Sequence, residues 1–235
     1  MKNTAIVLAA GSGSRMGGLV KKQFMPLLGK PVLFYSLKAF EESPVDEIVI
    51  VTSPEDIEYV RNDIVGFYGF KKVSAVVSGG KERFHSVLCG IRAIKDADYI
   101  FVHDGARALV TTDILERAYE AVKKYDACVI GMPSKDTVKL ADDSGMVEAT
   151  PNRNKVWTVQ TPQVFKGELI RSAYEEISKR EQELMERGVK ITDDAMVLEL
   201  YSNHPVKLVE GSYENIKLTT PEDMVIAEEI LKRRG

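Results

Sequence analysis

The stretch "IVLAAGSGSRMGG", Ile6–Gly18, followed by "KKQ" at Lys21–Gln23, decides how this chain is read. An apolar run enters a glycine-rich segment that holds one arginine, with lysines just beyond. Thr4–Ala10 is nearly all apolar, as a strand buried on both faces must be. A strand running into glycines exposes several backbone N–H groups in one concavity, and glycine lets an oxyanion approach them closely. Such a cradle holds phosphate when a helix or cationic side chains follow. Two phosphate motifs fail here. Counted from Gly11, the G-x-x-x-x-G-K-[ST] loop meets Met16 where it needs glycine; counted from Gly13 it meets Gly18, but Leu19 stands in place of lysine. The dinucleotide pattern G-x-G-x-x-G fits at Gly11 and Gly13 and fails at Met16. What remains is a cradle joined by Arg15 and Lys22, a cationic pair suited to a polyphosphate.

Outward from this loop, short apolar runs alternate with helical patterns. Pro31 opens a helix with Leu33, Leu37 and Phe40 on one stripe. Strands are expected at Glu47–Thr52, Val73–Val77, Tyr99–His103 and Ala127–Met132. Helices are expected at "SPEDIEYVRNDIV", capped by Ser53, at Glu82–Lys95 and at Thr112–Lys124. This alternation predicts a doubly wound, Rossmann-like α/β fold with a mostly parallel sheet. Ligands in such folds sit beyond the carboxyl ends of the strands. The glycine loop, "SGG" at Ser78–Gly80 and "HDGAR" at His103–Arg107 each follow a strand, so all three belong on one sheet edge.

The pattern breaks near Pro133. "TVKLA", a turn at "DDSG" and "MVEAT" read as a hairpin, with a further extended stretch around Trp157. We therefore expect a single domain over residues 1–235 with a projecting β-arm at about 134–160. A two-stranded arm is marginal alone, and a second copy of the chain is the simplest thing for it to pack on, which predicts a homodimer. Helices at Gly167–Arg187 and Asp193–Tyr201, a strand at Val206–Glu210 and a helix from Pro221 complete the chain.

Composition narrows the partners. The 235 residues carry a net charge of −3, so no global positive field holds nucleic acid and any anion site must be local. Cys89 and Cys128 lie in apolar surroundings and read as reduced thiols, which suits a cytoplasmic protein. No apolar run reaches the roughly 18–20 residues of a membrane span, and the N-terminus begins a strand rather than a signal peptide.

The motifs together carry a resemblance. "LAAGSGSRMG…KKQF", "GGKERFHSV", "FVHDGARALV", "DTVK", "NRNKVWTVQTPQVF", "ITDDA" and "VEGSYENIKLTTPEDM" run from Ala5 to about Met224. In order and spacing they resemble the nucleotidyltransferases that activate sugars and polyols, and among these the 2-C-methyl-D-erythritol 4-phosphate cytidylyltransferases of non-mevalonate isoprenoid synthesis. The resemblance implies that CTP is joined to a polyol phosphate: an acceptor phosphate oxygen attacks the α-phosphorus of CTP and pyrophosphate leaves. Such a reaction needs no covalent nucleophile, only alignment of two anions and neutralisation of developing charge.

The resemblance also implies roles. Arg15 and Lys22 neutralise charge near the α-phosphorus. Ala9, Ala10, Gly11 and Gly13 belong to the nucleotide cradle, Gly80, Lys81 and Ser86 to the surroundings of the base, and Asp104 and Gly105 to the same site. Asp104 is the carboxylate for Mg²⁺, completed by phosphates and water. Arg153 and Lys217 hold the acceptor phosphate, with Thr137, Thr161 and Thr192 as hydroxyl contacts. Because Arg153 lies on the arm, an arm crossing to a partner would carry it into the other subunit's acceptor site. Arg107 either supports its loop or meets phosphate, and Arg83 is either structural or near the nucleotide. Trp157 reads as a packing anchor and His103 as a packed strand residue. The family usually reads "HDAARP" where this chain has Gly105 for the first alanine and Ala108 for proline, which loosens that loop. Ribitol-5-phosphate cytidylyltransferase is the alternative, but its first motif tends to read "LAGGKGTRM" and it lacks "NRNxVW". A nicotinamide-dependent oxidoreductase fails on the third glycine, and a non-catalytic nucleotide-binding module would not need Arg15, Lys22 and Asp104 together.

Overall fold

A computed structural model describes residues 1–11 and 20–235; Gly13 and Arg15 of the glycine loop lie outside the described residues. The chain begins with β1 (Asn3–Ala9), then a small hairpin of β2 (Pro26–Leu27) and β3 (Lys30–Pro31), then α1 (Val32–Glu41). There follow β4 (Glu47–Thr52), α2 (Ile57–Tyr59, continued as a π-helical stretch over Val60–Gly66), β5 (Val73–Ser78), α3 (Arg83–Ala93), β6 (Tyr99–Asp104), α4 (Thr112–Tyr125) and β7 (Ala127–Pro133). A hairpin of β8 (Leu140–Ala141) and β9 (Val147–Ala149) comes next, then β10 (Trp157–Lys166), α5 (Gly167–Lys179), α6 (Glu181–Glu186), α7 (Asp194–Tyr201), β11 (Lys207–Glu210) and α8 (Pro221–Arg234).

Seven strands form the main sheet in the order β11-β7-β10-β6-β1-β4-β5. The pairs of β1 with β4 and β6, β4 with β5, and β7 with β11 are parallel, while β10 runs antiparallel between β6 and β7. Without β10, the parallel strands have the order of a doubly wound sheet, whose direction of winding reverses between β1 and β6. The expected Rossmann-like α/β fold is therefore present.

The apolar run of β1 has its cause here. Ala5, Val7 and Ala9 face one core with Leu33, Leu37 and Phe40 of α1 and Ile114 and Leu115 of α4. Ile6 faces the other core, with Val87 and Ile91 of α3 and Ile170, Tyr174 and Ile177 of α5. Both sheet faces are covered, so neither side of the strand can be polar. Helix ends follow local chemistry. Thr220 and Asp223 form a capping box around Pro221 at the start of α8, and Asp193 Oδ1 accepts from Met196 N–H at the start of α7. Ser53 does not cap its helix; its hydroxyl instead donates to Ala10 O at 3.4 Å, across the sheet edge.

The arm differs from the sequence expectation. Its hairpin is short, and the segment from Trp157 onward is β10, wedged into the main sheet. Residues 157–160, expected in the arm, thus belong to the sheet. Gln160–Phe165 is buried, which an isolated arm could not achieve. Asp142 Oδ1 closes the hairpin turn by accepting from the N–H groups of Ser144 and Met146, and Leu140, Met146 and Val147 are exposed on the hairpin. Register between β10 and β7 shifts between Val159 and Gln163. The irregular stretch contains Thr161, whose hydroxyl accepts from Asp104 N–H at 3.1 Å and lies 3.1 Å from His103 Nδ1.

Two stability predictions follow from this packing. Gly167 opens α5 against the turn before β6, where an added Cβ would lie 2.0 Å from Ala97 O. Gly167→Ala should lower unfolding free energy by about 1–3 kcal/mol, read by urea denaturation. His103 is fully buried, and burial holds its imidazole down at about 3 from 6.5. The unfolded chain takes up this proton first, so between those pH values stability rises with pH by ~1.4 kcal/mol per unit from this group. Replacing His103 with Asn should flatten the pH dependence of stability between pH 4.5 and about 6.5. An unchanged slope would show that the imidazole is not held neutral.

Candidate active site

The reversal between β1 and β6 leaves a cleft at the carboxyl edge of the sheet. It has a volume of about 390 Å³ and is lined by Leu8, Ala10, Gly11, Lys22, Gln23, Gly80, Lys81, Glu82, Arg83, Ser86, Asp104, Ala106 and Lys217. Three sequence segments meet there as expected: the end of β1, the turn after β5 and the loop after β6. Four cationic side chains face two carboxylates in this lining, so the cleft is locally positive on a chain of net charge −3.

Side chains fix each edge of the cleft. Gln23 is buried and its amide donates to Ala9 O and to Gly11 O, the latter at 3.1 Å, pinning the exit from β1. Lys22 precedes it in the same turn. On the opposite side Ser86 Oγ accepts from Gly80 N–H at 3.2 Å and donates to Glu82 O at 3.1 Å, tying the "SGGKE" turn onto α3. At the floor, Leu8 pairs with Asp104, and Gly105 N–H donates to Leu8 O at 2.9 Å. A Cβ at Gly105 would lie 2.9 Å from that same carbonyl, so glycine lets this loop press closer to β1 than alanine would.

Asp104 is the electrostatic centre. It is 8% exposed, and its Oδ1 accepts from Arg83 Nε at 3.1 Å while its Oδ2 accepts from Lys217 Nζ at 2.6 Å. Burial alone would raise its pKa, but Arg83 and then Lys217 hold it far below the usual carboxylate range. Arg83 donates through both terminal nitrogens to Asp194, at 2.8 and 2.7 Å. Asp194 is fully buried and also accepts from the Tyr174 hydroxyl at 2.6 Å. Burial acts against the guanidinium charge, yet Asp194 and Asp104 outweigh it and raise the Arg83 pKa well above its ordinary value.

The other sequence candidates are placed as follows. Arg107 donates to Asn215 O at 2.8 Å and to Val159 O at 3.2 Å, contacts that support its loop. Thr161 is buried and commits its hydroxyl to Asp104 N–H and the His103 ring, so it positions the carboxylate and does not reach into the cleft. Arg153 lies at the foot of the hairpin, with Nη1 3.4 Å from Lys135 O, and does not line the cleft. Thr137 on the hairpin and Thr192 before α7 are exposed and also lie outside the lining. Ala9 is buried beneath Ala10 and Gly11, its carbonyl taken by Gln23. Lys21 is bound to Glu55 and Asp56 at 2.6 and 2.5 Å and serves α2. Sequence reading passes over Gln23, Glu82, Asp194 and Tyr174. Only "ITDDA" flags Asp194, and its partner Arg83 lies 111 residues away. Among the described residues no group of three or more His, Cys, Asp or Glu side chains gathers to hold a metal.

Comparison with known proteins follows this geometry. Residues 3–233 match the family described as IspD, 2-C-methyl-D-erythritol 4-phosphate cytidylyltransferase. Proteins of that name from Lachnoclostridium phytofermentans and Lachnospira eligens are 49% and 51% identical, each over 98% of this chain and over 97% and 99% of their own lengths. The structure of a 4-diphosphocytidyl-2C-methyl-D-erythritol synthase from Anaerococcus prevotii superposes with a TM-score of 0.85 at 34% identity, covering 99% of this chain and 96% of that one. The Francisella tularensis 2-C-methyl-D-erythritol 4-phosphate cytidylyltransferase superposes at 0.78 with 29% identity, over 97% and 99% of the two chains. Near-complete coverage in both directions, on a cleft that already has the expected residues along three of its edges, means that this chain belongs to the 2-C-methyl-D-erythritol 4-phosphate cytidylyltransferase family.

Proposed function

We propose that this chain joins CTP and 2-C-methyl-D-erythritol 4-phosphate, giving 4-diphosphocytidyl-2-C-methyl-D-erythritol and pyrophosphate. The observation that carries the site assignment is the convergence of Lys22, Lys81, Arg83 and Lys217 on one cleft with Asp104 at its floor. An acceptor phosphate oxygen forms the new bond to the α-phosphorus as the bond from that phosphorus to the β-phosphate bridging oxygen breaks. Both reactants are anions, so the protein's task is to bring them into line and to balance charge as it moves to the leaving pyrophosphate. Lys22, beside the exit of β1, is assigned to the triphosphate together with Arg15. Ala10, Gly11, Gly80, Lys81 and Ser86 frame the space for the base with small side chains and backbone groups. Lys217, fixed on Asp104, is assigned to the acceptor phosphate.

A divalent cation fits this site only in a restricted way. Asp104 offers one carboxylate, and each of its oxygens already holds a cationic partner. Mg²⁺ commonly keeps several waters and binds through one or two carboxylates plus substrate phosphates, and one carboxylate meets that pattern. When bound, the ion would shield the triphosphate and polarise its oxygens. The residues themselves orient the chain's end of that contact: Thr161 fixes the Asp104 backbone and Arg83 fixes its side chain.

The hairpin is assigned to dimerisation. Its exposed Leu140, Met146 and Val147 form an apolar edge that a second copy can cover, and Arg153 at its foot would then enter the partner's acceptor site. No helix among the described residues is long and apolar enough to cross a membrane, and the free thiols Cys89 and Cys128 fit a reducing cytoplasm.

Pyrophosphate release with Mg²⁺ and CTP tests the reading. Release is expected with 2-C-methyl-D-erythritol 4-phosphate and not with D-ribitol 5-phosphate; the reverse preference would discard the acceptor assignment. Lys22→Ala should cut kcat by about 10²–10³ with a smaller change in KM, since the charge it balances grows in the transition state. Shared acceptor sites predict complementation: co-expressed Arg153→Ala and Lys217→Ala chains, each inactive alone, should regain about a quarter of wild-type activity through mixed dimers with one intact site. Absence of any recovery would place Arg153 and Lys217 in the same subunit's site.

A further inference from the structure

Asp194 stands one residue into α7, has no surface exposure and does not line the cleft. Its side chain nevertheless begins an unbroken series of close contacts that ends inside the cleft. Tyr174 Oη donates to Asp194 Oδ1 at 2.6 Å, Arg83 donates to both Asp194 oxygens at 2.8 and 2.7 Å, Arg83 Nε meets Asp104 Oδ1 at 3.1 Å, and Lys217 Nζ meets Asp104 Oδ2 at 2.6 Å. Anions and cations alternate along it. The two-pronged face of a guanidinium is its strongest grip on a carboxylate. Here that face is spent on Asp194, and Asp104 receives only the single Nε–H. Were the fork free, Asp104 would be the nearest carboxylate to take it, and a forked arginine on Asp104 would compete with Lys217 for the same two oxygens.

We infer that Asp194 is a positioning residue for the acceptor site: by occupying the fork of Arg83 it leaves Asp104 Oδ2 to Lys217, and so holds the Lys217 ammonium where the acceptor phosphate arrives. The inference rests on the functional reading above for what Lys217 binds, but the placement of Lys217 is a property of the protein alone. Tyr174 stacks on Phe84 with ring centroids 5.0 Å apart, so α3, α5 and α7 are locked together where the series starts. Gln163 reinforces the same corner, donating to Asp193 Oδ2 at 2.9 Å and accepting from Ala195 N–H at 2.8 Å. The role accounts for a carboxylate with no access to substrate at a buried position, where an ion normally persists only when fully paired.

The test uses Asp194→Asn, which keeps the shape and removes the charge. In this variant the KM for the polyol phosphate should rise about tenfold while the KM for CTP stays within about twofold, the split expected when only one substrate's binding group is displaced. Acylation of Lys217 by acetic anhydride, followed by mass spectrometry, should speed up severalfold as the amine loses its carboxylate. The paired variant Arg83→Gln with Asp194→Asn leaves no fork to compete for Asp104, and should return the Lys217 acylation rate towards wild type. It also serves as the test should Asp194→Asn alone fold poorly. Tyr174→Phe removes a hydrogen bond from the same buried cluster without freeing the fork, and should leave the acceptor KM unchanged. Equal rises in both KM values, an unaltered Lys217 acylation rate in Asp194→Asn, or a paired variant no better than Asp194→Asn would each overturn the inference. A wild-type chain that acylates as described but releases no pyrophosphate would instead sink the functional reading and leave the positioning intact.

Discussion

A carboxylate placed at the end of a strand buried on both faces must find cations or give up its charge, and this constraint on Asp104 organises the site around it. The strand β6 brings it to the floor of the cleft with almost no exposure. Arg83 arrives from the first residue of α3, on the turn that follows β5, and Lys217 from the segment between β11 and α8. Three separate parts of the chain are thereby fixed relative to one another by one anion. Asp104 is buried while both partners are partly exposed, so removing one costs less than the ~3–5 kcal/mol of a fully buried pair but more than an exposed ion pair contributes. The exposed pairs on this molecule, such as Arg92 with Glu175 or Lys232 with Glu229, are of that weaker kind.

The loop carrying Asp104 shows how a lost local restraint is replaced by tertiary ones. Family members that read "HDAARP" have a proline to stiffen this loop, and here the position is Ala108. Rigidity comes instead from backbone and side-chain contacts. Arg107 N–H donates to Asp104 O, Leu218 N–H donates to Ala106 O, and the Ser36 hydroxyl sits 3.3 Å from both Gly105 O and Arg107 O. Arg107 then clamps the loop to Asn215 and to β10. Ala108 is itself buried, against the core shared by Leu27, Leu109 and Leu218. A flexible backbone surrounded by this many partners has few alternatives to its folded conformation, so the proline's contribution is largely duplicated.

The sheet and the cleft's three edges were legible because their causes are local. A strand covered on both faces has to be apolar throughout, as Thr4–Ala10 is, and the turns that follow such strands declare themselves by glycine and small residues at 78–80 and 103–107. What the sequence could not show were pairings between distant segments. "WTVQTPQVF" reads correctly as extended, but nothing in it says that it enters the main sheet antiparallel between β6 and β7 and does not prolong the arm. Arg83 and Asp194 are charged residues with ordinary neighbours, and only folding brings them within 2.8 Å. Thr161 is a further case: nothing local shows that its buried hydroxyl accepts from the N–H of Asp104, 57 residues away.

Contacts of the same long-range kind join the hairpin to the Lys217 side of the cleft. At the hairpin's foot, Pro133 O accepts from the Tyr213 hydroxyl at 2.9 Å, and the Lys135 ammonium lies 3.5 Å from the centre of that ring. Tyr213 sits on the segment that carries Lys217, which Gln160 and Asn215 tie in turn to β10. A hairpin hinged only on its own two strands would transmit nothing, since a pair this short has little stability of its own. Anchored through Tyr213, its foot cannot shift without disturbing the segment that presents Lys217. The hairpin and Lys217 therefore share a base, so the contacts that hold the hairpin's foot also help to set the lysine.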